Sequence, residues 1–177
     1  MTAGFALFDT ALGRCGLAWS ASGLTAVSFP EGADAATRAR LAARAGAQER
    51  PPPPWVEGAI AHISALIAGQ AADLEDIPLD LTGVPAFDRD VYALCRAIPA
   101  GETKTYGDLA KALGDPGAAR AIGAALGRNP HPIVTPCHRV LAAGGRTGGF
   151  SAPGGVRTKL RLLEIERAAF GPRDLFS

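Results

Sequence analysis

The sequence predicts an α+β protein of two domains, with a sheet-and-helix domain at residues 1–82 and a mainly helical domain at residues 83–177. Short β-rich pieces open the chain, and the later segments carry apolar residues at helical spacing. The charge changes sign between the halves: residues 1–82 hold 5 Lys+Arg and 9 Asp+Glu, whereas residues 83–177 hold 13 and 8. The stretch 77–87, with two prolines and one glycine, is predicted to be the boundary.

The first domain is predicted to be a small antiparallel sheet followed by two helices. FALF (5–8), CGLAW (15–19) and LTAVSF (24–29) are the expected strands, separated by turn signals. One helix is expected at 33–44, and PPPP at 51–54 should be an extended spacer because proline cannot continue a helix. The helix after it should face the core with Val56, Ile60, Ile63 and Ile67, which leaves His62 facing solvent.

The second domain is predicted to be helical with a helix-turn-helix. A first helix at 87–98 should face the core with Phe87, Val91, Leu94, Cys95 and Ile98. Helices at 105–114 and 117–129 are joined by a turn that contains glycine and proline, and another helix follows a loop. Gly123 and Gly127 keep the helix at 117–129 smooth, so its backbone can closely approach either another helix or a DNA groove.

Composition excludes several classes of protein. Three widely spaced cysteines do not make a disulfide framework, and histidines at 62, 131 and 138 lack metal-ligand spacing. The first 23 residues have no basic start and broken apolar runs, so neither a signal peptide nor a membrane span is expected, and the protein is predicted to be cytoplasmic. Between Lys104 and Arg161 lie nine basic and two acidic residues, which indicates an anion-binding segment or a solvated basic face.

The stretch TPCHRV (135–140) carries the reactive side chains. Ile133 and Val134 read as a β-like run, and Pro136 should present Cys137 on a stiff backbone. A thiol has a pKa of about 8.5, and positive charge on His138 and Arg139 would lower it. Direct contact between Cys137 and His138 requires a local turn or a bridging water. The alternative is a buried cysteine that only packs.

At this point the sequence resembles a known family. GETKTYGDLAKALGDPGAARAIGAALGRNPHPIVTPCHRV and GGRTGGFSAPGGVRTKLRLLEIE look like the methylated-DNA–protein-cysteine methyltransferases, closely over 77–166 and more loosely over 9–29. The resemblance implies a ribonuclease-H-like N-terminal domain and a winged helix-turn-helix C-terminal domain. It implies irreversible, single-turnover transfer of an alkyl group from O6-alkylguanine, with O4-alkylthymine as a second candidate, to a cysteine of the protein.

The resemblance also implies a partner and a place in the cell. The partner would be alkylated double-stranded DNA bound through the minor groove, with the damaged base flipped out of the duplex. No cofactor, metal, membrane or obligate protein partner is expected. The protein would act as a monomer in the cytoplasm, associated with the nucleoid.

Five catalytic residues are implied by the resemblance. Cys137 would accept the alkyl group, His138 with a water would deprotonate it, and Glu166 would orient His138. Tyr106 would assist departure of the guanine oxygen, and Asn129 would hold the turn before the active-site segment. Chemistry supports a cysteine, because a soft thiolate suits displacement at a saturated carbon, and a phenol can donate to the leaving oxygen. The plainer readings are a core tyrosine and an exposed glutamate.

The remaining site residues are implied in the same way. Arg120 would enter the base stack, although arginine also commonly binds phosphate; the other DNA contacts would be Ala119, Arg128 and Thr105. Phe150, Ser151 and Val140 would contact the substrate. Several positions depart from the family pattern: Asp88, Tyr92, Phe150 and the two-residue insertion Ala152-Pro153.

Two other functions fit parts of the pattern. A DNA-binding module of the same fold would recognise alkylated bases without repairing them, but the reactive cysteine is replaced in such proteins. A cysteine hydrolase would need an oxyanion-hole motif, which the sequence lacks.

Overall fold

A computed structural model describes residues 2–169. The chain divides into two compact units, one formed by Met1–Thr82 with Pro130–Val134 and the other by Gly83–Asn129 with Thr135–Ser177. Residues 130–134, expected in the second domain, therefore belong to the first unit, and residues 170–177 of that domain lie outside the described residues. Over the part of the chain that is described, no helix is long and apolar enough to span a membrane.

The first unit is built on a four-stranded sheet in the order β3-β2-β1-β4. Strands β1 (Gly4–Thr10), β2 (Gly13–Trp19) and β3 (Leu24–Ser28) pair antiparallel as predicted. Strand β4 (Gln48–Glu49) pairs parallel to β1 and was not predicted, because two residues are too short to show a period. At the turn into β3, Gly23 has φ 148°, and a Cβ there would lie 2.6 Å from the Pro78 oxygen.

Two helices complete the first unit. Helix α1 (Asp34–Ala45) places Leu41 in a buried cluster with Phe5, Ala18, Ala26 and Ala47 of this unit. Helix α2 (Pro54–Ile67) begins one residue inside PPPP, which corrects the prediction that all four prolines are extended, because the first helical position needs no backbone N–H. His62 is exposed as predicted, but Ile60 is only half-buried, and the buried face of α2 is Val56, Ala59, Ile63, Leu66 and Ile67.

The segment 130–134 is a buried turn rather than the predicted β-like run. The Val27 N–H donates to the Pro130 oxygen at 2.9 Å, and His131 Nε2 lies 2.7 Å from the Leu24 oxygen. Ile133 has φ 76°, a left-handed conformation that a β-branched residue rarely adopts, and it is buried. The prediction was wrong because contacts with β3, rather than local strand propensity, decide the backbone here.

Over its described residues, the second unit contains four α-helices and a two-stranded pairing. The helices are α3 (Ala86–Arg96), α4 (Tyr106–Ala112), α5 (Ala119–Gly127) and α6 (Gly155–Ile165), and β5 (Lys104–Thr105) pairs parallel with β6 (Val140–Leu141). Thr105 caps α4, because its hydroxyl accepts from the Asp108 N–H while the Asp108 carboxylate accepts from the Thr105 N–H. The mixed α+β class predicted from the sequence is confirmed.

The inner face of α3 differs from the prediction. Asp88, Val91, Tyr92 and Cys95 are buried, at spacings of three and four residues. That face places Phe87 outside, where it is 37% exposed, and leaves Leu94 half-buried. Cys95 is fully buried, as expected for a small core residue.

Candidate active site

Cys137 lies in a short turn that follows Pro136. Residues Cys137–Arg139 form a single 3₁₀ turn, in which the Cys137 N–H donates to the Thr135 oxygen at 2.8 Å and the Arg139 N–H donates to the Pro136 oxygen at 2.9 Å. The backbone around the cysteine is therefore curved rather than extended. The sequence required either a local turn or a bridging water for contact between Cys137 and His138, and the structure contains the turn.

Behind the cysteine, His138 forms a buried network with Glu166 and Arg139. His138 Nε2 lies 2.9 Å from Glu166 Oε1, and Arg139 donates to both Glu166 oxygens at 2.8 and 3.0 Å. A third Arg139 bond goes to the Ile98 oxygen at 2.6 Å. The Glu166 side chain is only 2% exposed. Glu166 is thus buried and paired, not exposed at the end of its helix.

The charges of this network define the histidine tautomer. Burial alone would raise the pKa of Glu166, but hydrogen bonds from His138 and Arg139 outweigh it and bring the pKa to about 2. The ionised carboxylate can only accept, so His138 Nε2 carries the hydrogen and Nδ1 has a free lone pair. Burial lowers the pKa of His138 despite Glu166, so the imidazole is neutral near pH 7. Within residues 2–169, Nδ1 has no hydrogen-bond partner.

The pKa of the Cys137 thiol is shifted in the opposite direction to the one expected from the sequence. Burial raises the pKa of the Cys137 thiol, and a hydrogen bond from Asn129 and the charge of Lys159 oppose that rise. The prediction that positive charge on His138 and Arg139 lowers this pKa was wrong, because the net shift is upward. His138 is neutral and the Arg139 guanidinium is bound to the Glu166 carboxylate, and the side-chain charge that opposes the rise in the Cys137 pKa is that of Lys159.

Lys159 is the main residue that sequence reasoning missed. It is fully buried on α6, where its Nζ donates to the Val140 oxygen at 2.6 Å and to the Gly149 oxygen at 3.3 Å. Its ammonium lies 5.9 Å from the centre of the Tyr106 ring, and burial lowers its pKa to about 8. A signal was available in the sequence: Lys159 and Glu166 flank Leu162 and Leu163 at helical spacing, which places both charges on the buried face of α6.

A cavity of about 640 Å³ opens above the sulfur. Three of the lining residues are glycines, Gly123, Gly127 and Gly149, which contribute no side chain to the walls. This volume is within the range of small-molecule sites. Six of the predicted site residues line it: Tyr106, Ala119, Arg120, Cys137, Phe150 and Ser151.

Tyr106 and Asn129 both act on Cys137 or its surroundings through their polar groups. Burial, together with the nearby thiols of Cys137 and Cys95, raises the pKa of Tyr106, so its hydroxyl stays protonated and can donate. Asn129 donates from Nδ2 to the Thr135 oxygen at 2.9 Å and also hydrogen bonds to Cys137. Asn129 therefore connects the end of α5 to the reactive turn.

Besides His138, Glu166 and Asn129, three more of the predicted site residues lie outside the cavity lining. Val140 is fully buried and its carbonyl accepts from Lys159. Thr105 is occupied as the cap of α4, and Arg128 is bound to Asp88. Among residues 2–169, no group of three or more His, Cys, Asp or Glu side chains is placed to hold a metal ion.

Known proteins share both the sequence and the fold. The family described as "6-O-methylguanine DNA methyltransferase, DNA binding domain" matches residues 86–168. A methylated-DNA–protein-cysteine methyltransferase of Methanosarcina acetivorans is 34% identical over 168 residues, which cover 92% of this chain and 97% of that protein. The corresponding protein of Mycobacterium tuberculosis is 42% identical over 125 residues, 71% of this chain and 73% of that one.

Solved structures agree with these relatives. The crystal structure of Mycobacterium tuberculosis O6-methylguanine methyltransferase has a TM-score of 0.75 and 36% identity, with 98% of both chains covered. A structure of the Mycobacterium tuberculosis protein in complex with DNA has a TM-score of 0.74 at 36% identity, and covers 97% of this chain and 96% of that chain. The sequence relatives and the solved structures agree, and this chain belongs to the methylated-DNA–protein-cysteine methyltransferases.

Proposed function

We propose that this chain repairs DNA by moving the alkyl group of O6-alkylguanine irreversibly to the sulfur of Cys137, with O4-alkylthymine as a second candidate substrate. The observation that carries the proposal is the placement of Cys137 on the cavity wall, in the same turn as His138. The Nε2 atom of His138 is bound to the buried Glu166 carboxylate. Family relatives carry the corresponding name, methylated-DNA–protein-cysteine methyltransferase.

The reaction follows from these groups. His138 Nδ1 takes the Cys137 proton through a water, and the thiolate attacks the saturated carbon in line. An S–C bond forms as the C–O6 bond breaks, and the electron pair of that bond goes to the guanine oxygen. Tyr106 donates a hydrogen bond or its proton to this oxygen as charge develops. Glu166 stabilises the imidazolium, and the product is a thioether that no described group can reverse, so each molecule acts once.

DNA recognition is assigned to the helix-turn-helix formed by α4 and α5. A lesion inside a duplex must be rotated out, at a cost of a few kcal/mol that phosphate contacts offset. Arg120 is exposed at the cavity edge beside the small Ala119, so its long side chain can fill the space left by the base. Thr105, at the start of α4, is assigned to the DNA-facing surface, which approaches the minor groove.

The flipped base is assigned to the cavity. Phe150 is half-buried on its wall and offers a face for stacking. The Ser151 hydroxyl donates to the Gly127 oxygen at 3.0 Å, which ties the substrate loop to the end of α5. Val140 is assigned a supporting role through its backbone. The insertion Ala152-Pro153 leads into α6, where the Gly155 N–H donates to the Ala152 oxygen.

The domain roles complete the proposal. The first unit is assigned to a ribonuclease-H-like domain on the strength of its sheet and two helices. The second is assigned to a winged helix-turn-helix domain, with β5 and β6 beside α4 and α5. We place the domain boundary at residues 82 and 83, and expect a cytoplasmic, nucleoid-associated monomer that needs no protein partner.

The test is the intact mass of the protein after incubation with a duplex that contains O6-methylguanine. One methyl increment, confined to the peptide that contains Cys137, is expected. Cys137→Ser should gain no methyl group, while Cys95→Ser serves as the matched control and should react like the wild type. Unchanged mass with tight binding would instead indicate a reader of alkylated bases, and the transfer proposal would be abandoned.

Arg120→Ala is expected to weaken repair of duplex DNA more than repair of the free modified base. The reason is that only the duplex substrate leaves a gap in the base stack for the guanidinium to fill. The rates of methyl transfer to both substrates measure this, with Arg157→Ala, an exposed arginine of α6, as control. Equal losses on the two substrates would contradict the assignment.

A further inference from the structure

An ion pair joins the start of α3 to the end of α5. Arg128 donates from Nε to Asp88 Oδ2 at 3.0 Å and from NH2 to Oδ1 at 2.9 Å. The Asp88 side chain is only 4% exposed, whereas that of Arg128 is 57% exposed. A buried carboxylate requires its partner, and a guanidinium that holds both oxygens fixes position as well as charge. Asp88 is also one of the positions at which this chain departs from the family pattern.

The ion pair holds the last turn of α5 together with a second anchor from α3. Arg128 ends α5, and its N–H donates to the Ala124 and Ala125 oxygens at 3.2 and 3.1 Å. The Tyr92 hydroxyl donates to the same Ala125 oxygen at 2.8 Å. Two residues one turn apart on α3, Asp88 and Tyr92, therefore bind the end of α5 through a side chain and through the backbone.

The residue after Arg128 reaches the nucleophile. Asn129 donates to the Thr135 oxygen at 2.9 Å and hydrogen bonds to Cys137. Because Arg128 and Asn129 are adjacent, a shift of the Arg128 backbone moves the Asn129 amide with it. The distances are short enough that a displacement of about 1 Å would break these bonds.

We propose that Arg128 is a positioning residue, whose ion pair with Asp88 fixes the end of α5 and so holds the Asn129 side chain against Thr135 and Cys137. This departs from the sequence expectation that Arg128 binds DNA. Its charge is already balanced by Asp88, so it adds little to the attraction for phosphate. The inference rests on the proposed function, because it concerns the rate of transfer to Cys137.

The test uses Arg128→Gln, Asp88→Asn and the reversed pair Asp88→Arg with Arg128→Asp in the full chain. One measurement is the rate of methyl transfer from free O6-methylguanine, which has no phosphate. The other is the salt dependence of the dissociation constant for unmodified duplex. Both single variants are expected to slow transfer at least about tenfold with nearly unchanged salt dependence, and the reversed pair should recover part of the rate.

A role in phosphate binding predicts the opposite pattern. Arg128→Gln would then reduce the salt slope by about one and leave the free-base rate unchanged, while Asp88→Asn would have no effect on that rate. Either result would overturn the inference. Arg157→Gln is the control for loss of one exposed positive charge.

Two further measurements distinguish a positioning role of Arg128 from a general loss of structure in the variants. The pH profile of Cys137 alkylation by iodoacetamide should shift to higher pH in the single variants, because the Asn129 bond to the thiol is lost. Arg128→Lys keeps the charge and the fold but cannot hold both oxygens, so it should also react slowly, and a wild-type rate would refute the inference. If the wild type itself gains no methyl group, the proposed function fails instead.

Discussion

Replacing Glu166 with glutamine is expected to lower the free energy of unfolding near neutral pH by about 3–5 kcal/mol. Glutamine is close to glutamate in size, but its amide group turns a donor toward Arg139, which then has no carboxylate. The Arg139 side chain is 8% exposed, so water cannot replace the lost partner. Urea unfolding at pH 7 measures the change. Glu164→Gln is the matched control, because that side chain is 56% exposed and its ion pair with Arg161 should contribute less than about 1 kcal/mol.

The same variant should change the response to acid. Glu166 has a pKa of about 2 in the folded protein against an ordinary 4.5, so its stabilisation is complete above about pH 4.5 and lost as pH falls through about 2. The difference between wild type and Glu166→Gln should therefore shrink across this window. Equal stability of the Glu166 and Glu164 variants would contradict the buried network.

Methyl transfer per folded molecule of the Glu166→Gln variant should also fall by about 10²–10⁴, because a neutral amide cannot stabilise the His138 imidazolium.

Replacing Lys159 with methionine is expected to slow the reactions of Cys137 by about tenfold or more, because the thiolate loses a nearby positive charge. Methionine retains an unbranched, apolar side chain but removes the ammonium whose charge opposes the rise in the Cys137 pKa. Alkylation of the Cys137 peptide by uncharged iodoacetamide measures this without DNA. Lys111→Met is the control, since Lys111 is an exposed lysine of α4.

The effect of Lys159 should depend on pH in a defined direction. Burial lowers its pKa to about 8, so the ammonium is present below that pH and is lost as pH rises through it. The advantage of wild type over Lys159→Met should therefore be largest below about pH 8 and diminish above it. Alkylation of the variant at the wild-type rate at pH 7 would show that this charge does not act on the thiol. Rates must be compared per folded molecule, because the variant leaves the Val140 and Gly149 oxygens without their donor.

Local patterns predicted much of the fold because they encode local structure. The β-rich runs between turn signals in β1 to β3 and the helical spacing of apolar residues in α2 and α3 depend only on neighbours along the chain. These elements lie close to their predicted positions. The predictions were wrong where contacts between residues far apart in the sequence decide which face is buried or how the backbone folds. The prediction that Phe87 is inside is wrong because Asp88 and Tyr92, which bind α5, occupy the inner face of α3. The prediction that Ile133 is extended is wrong because contacts between its segment and β3 hold the chain in a turn.

What the sequence by itself determined is the family, through the stretch TPCHRV and the helices before it, and the family leads to the proposal that Cys137 is the nucleophile. The tertiary structure alone decided how that thiol is surrounded. Packing of α6 brings Glu166 to His138 across 28 residues and buries Lys159 beside Tyr106, and packing of α3 on α5 pairs Arg128 with Asp88. Desolvation and hydrogen-bond geometry set these pKa values and positions, and both depend on residues that meet only when the chain is folded.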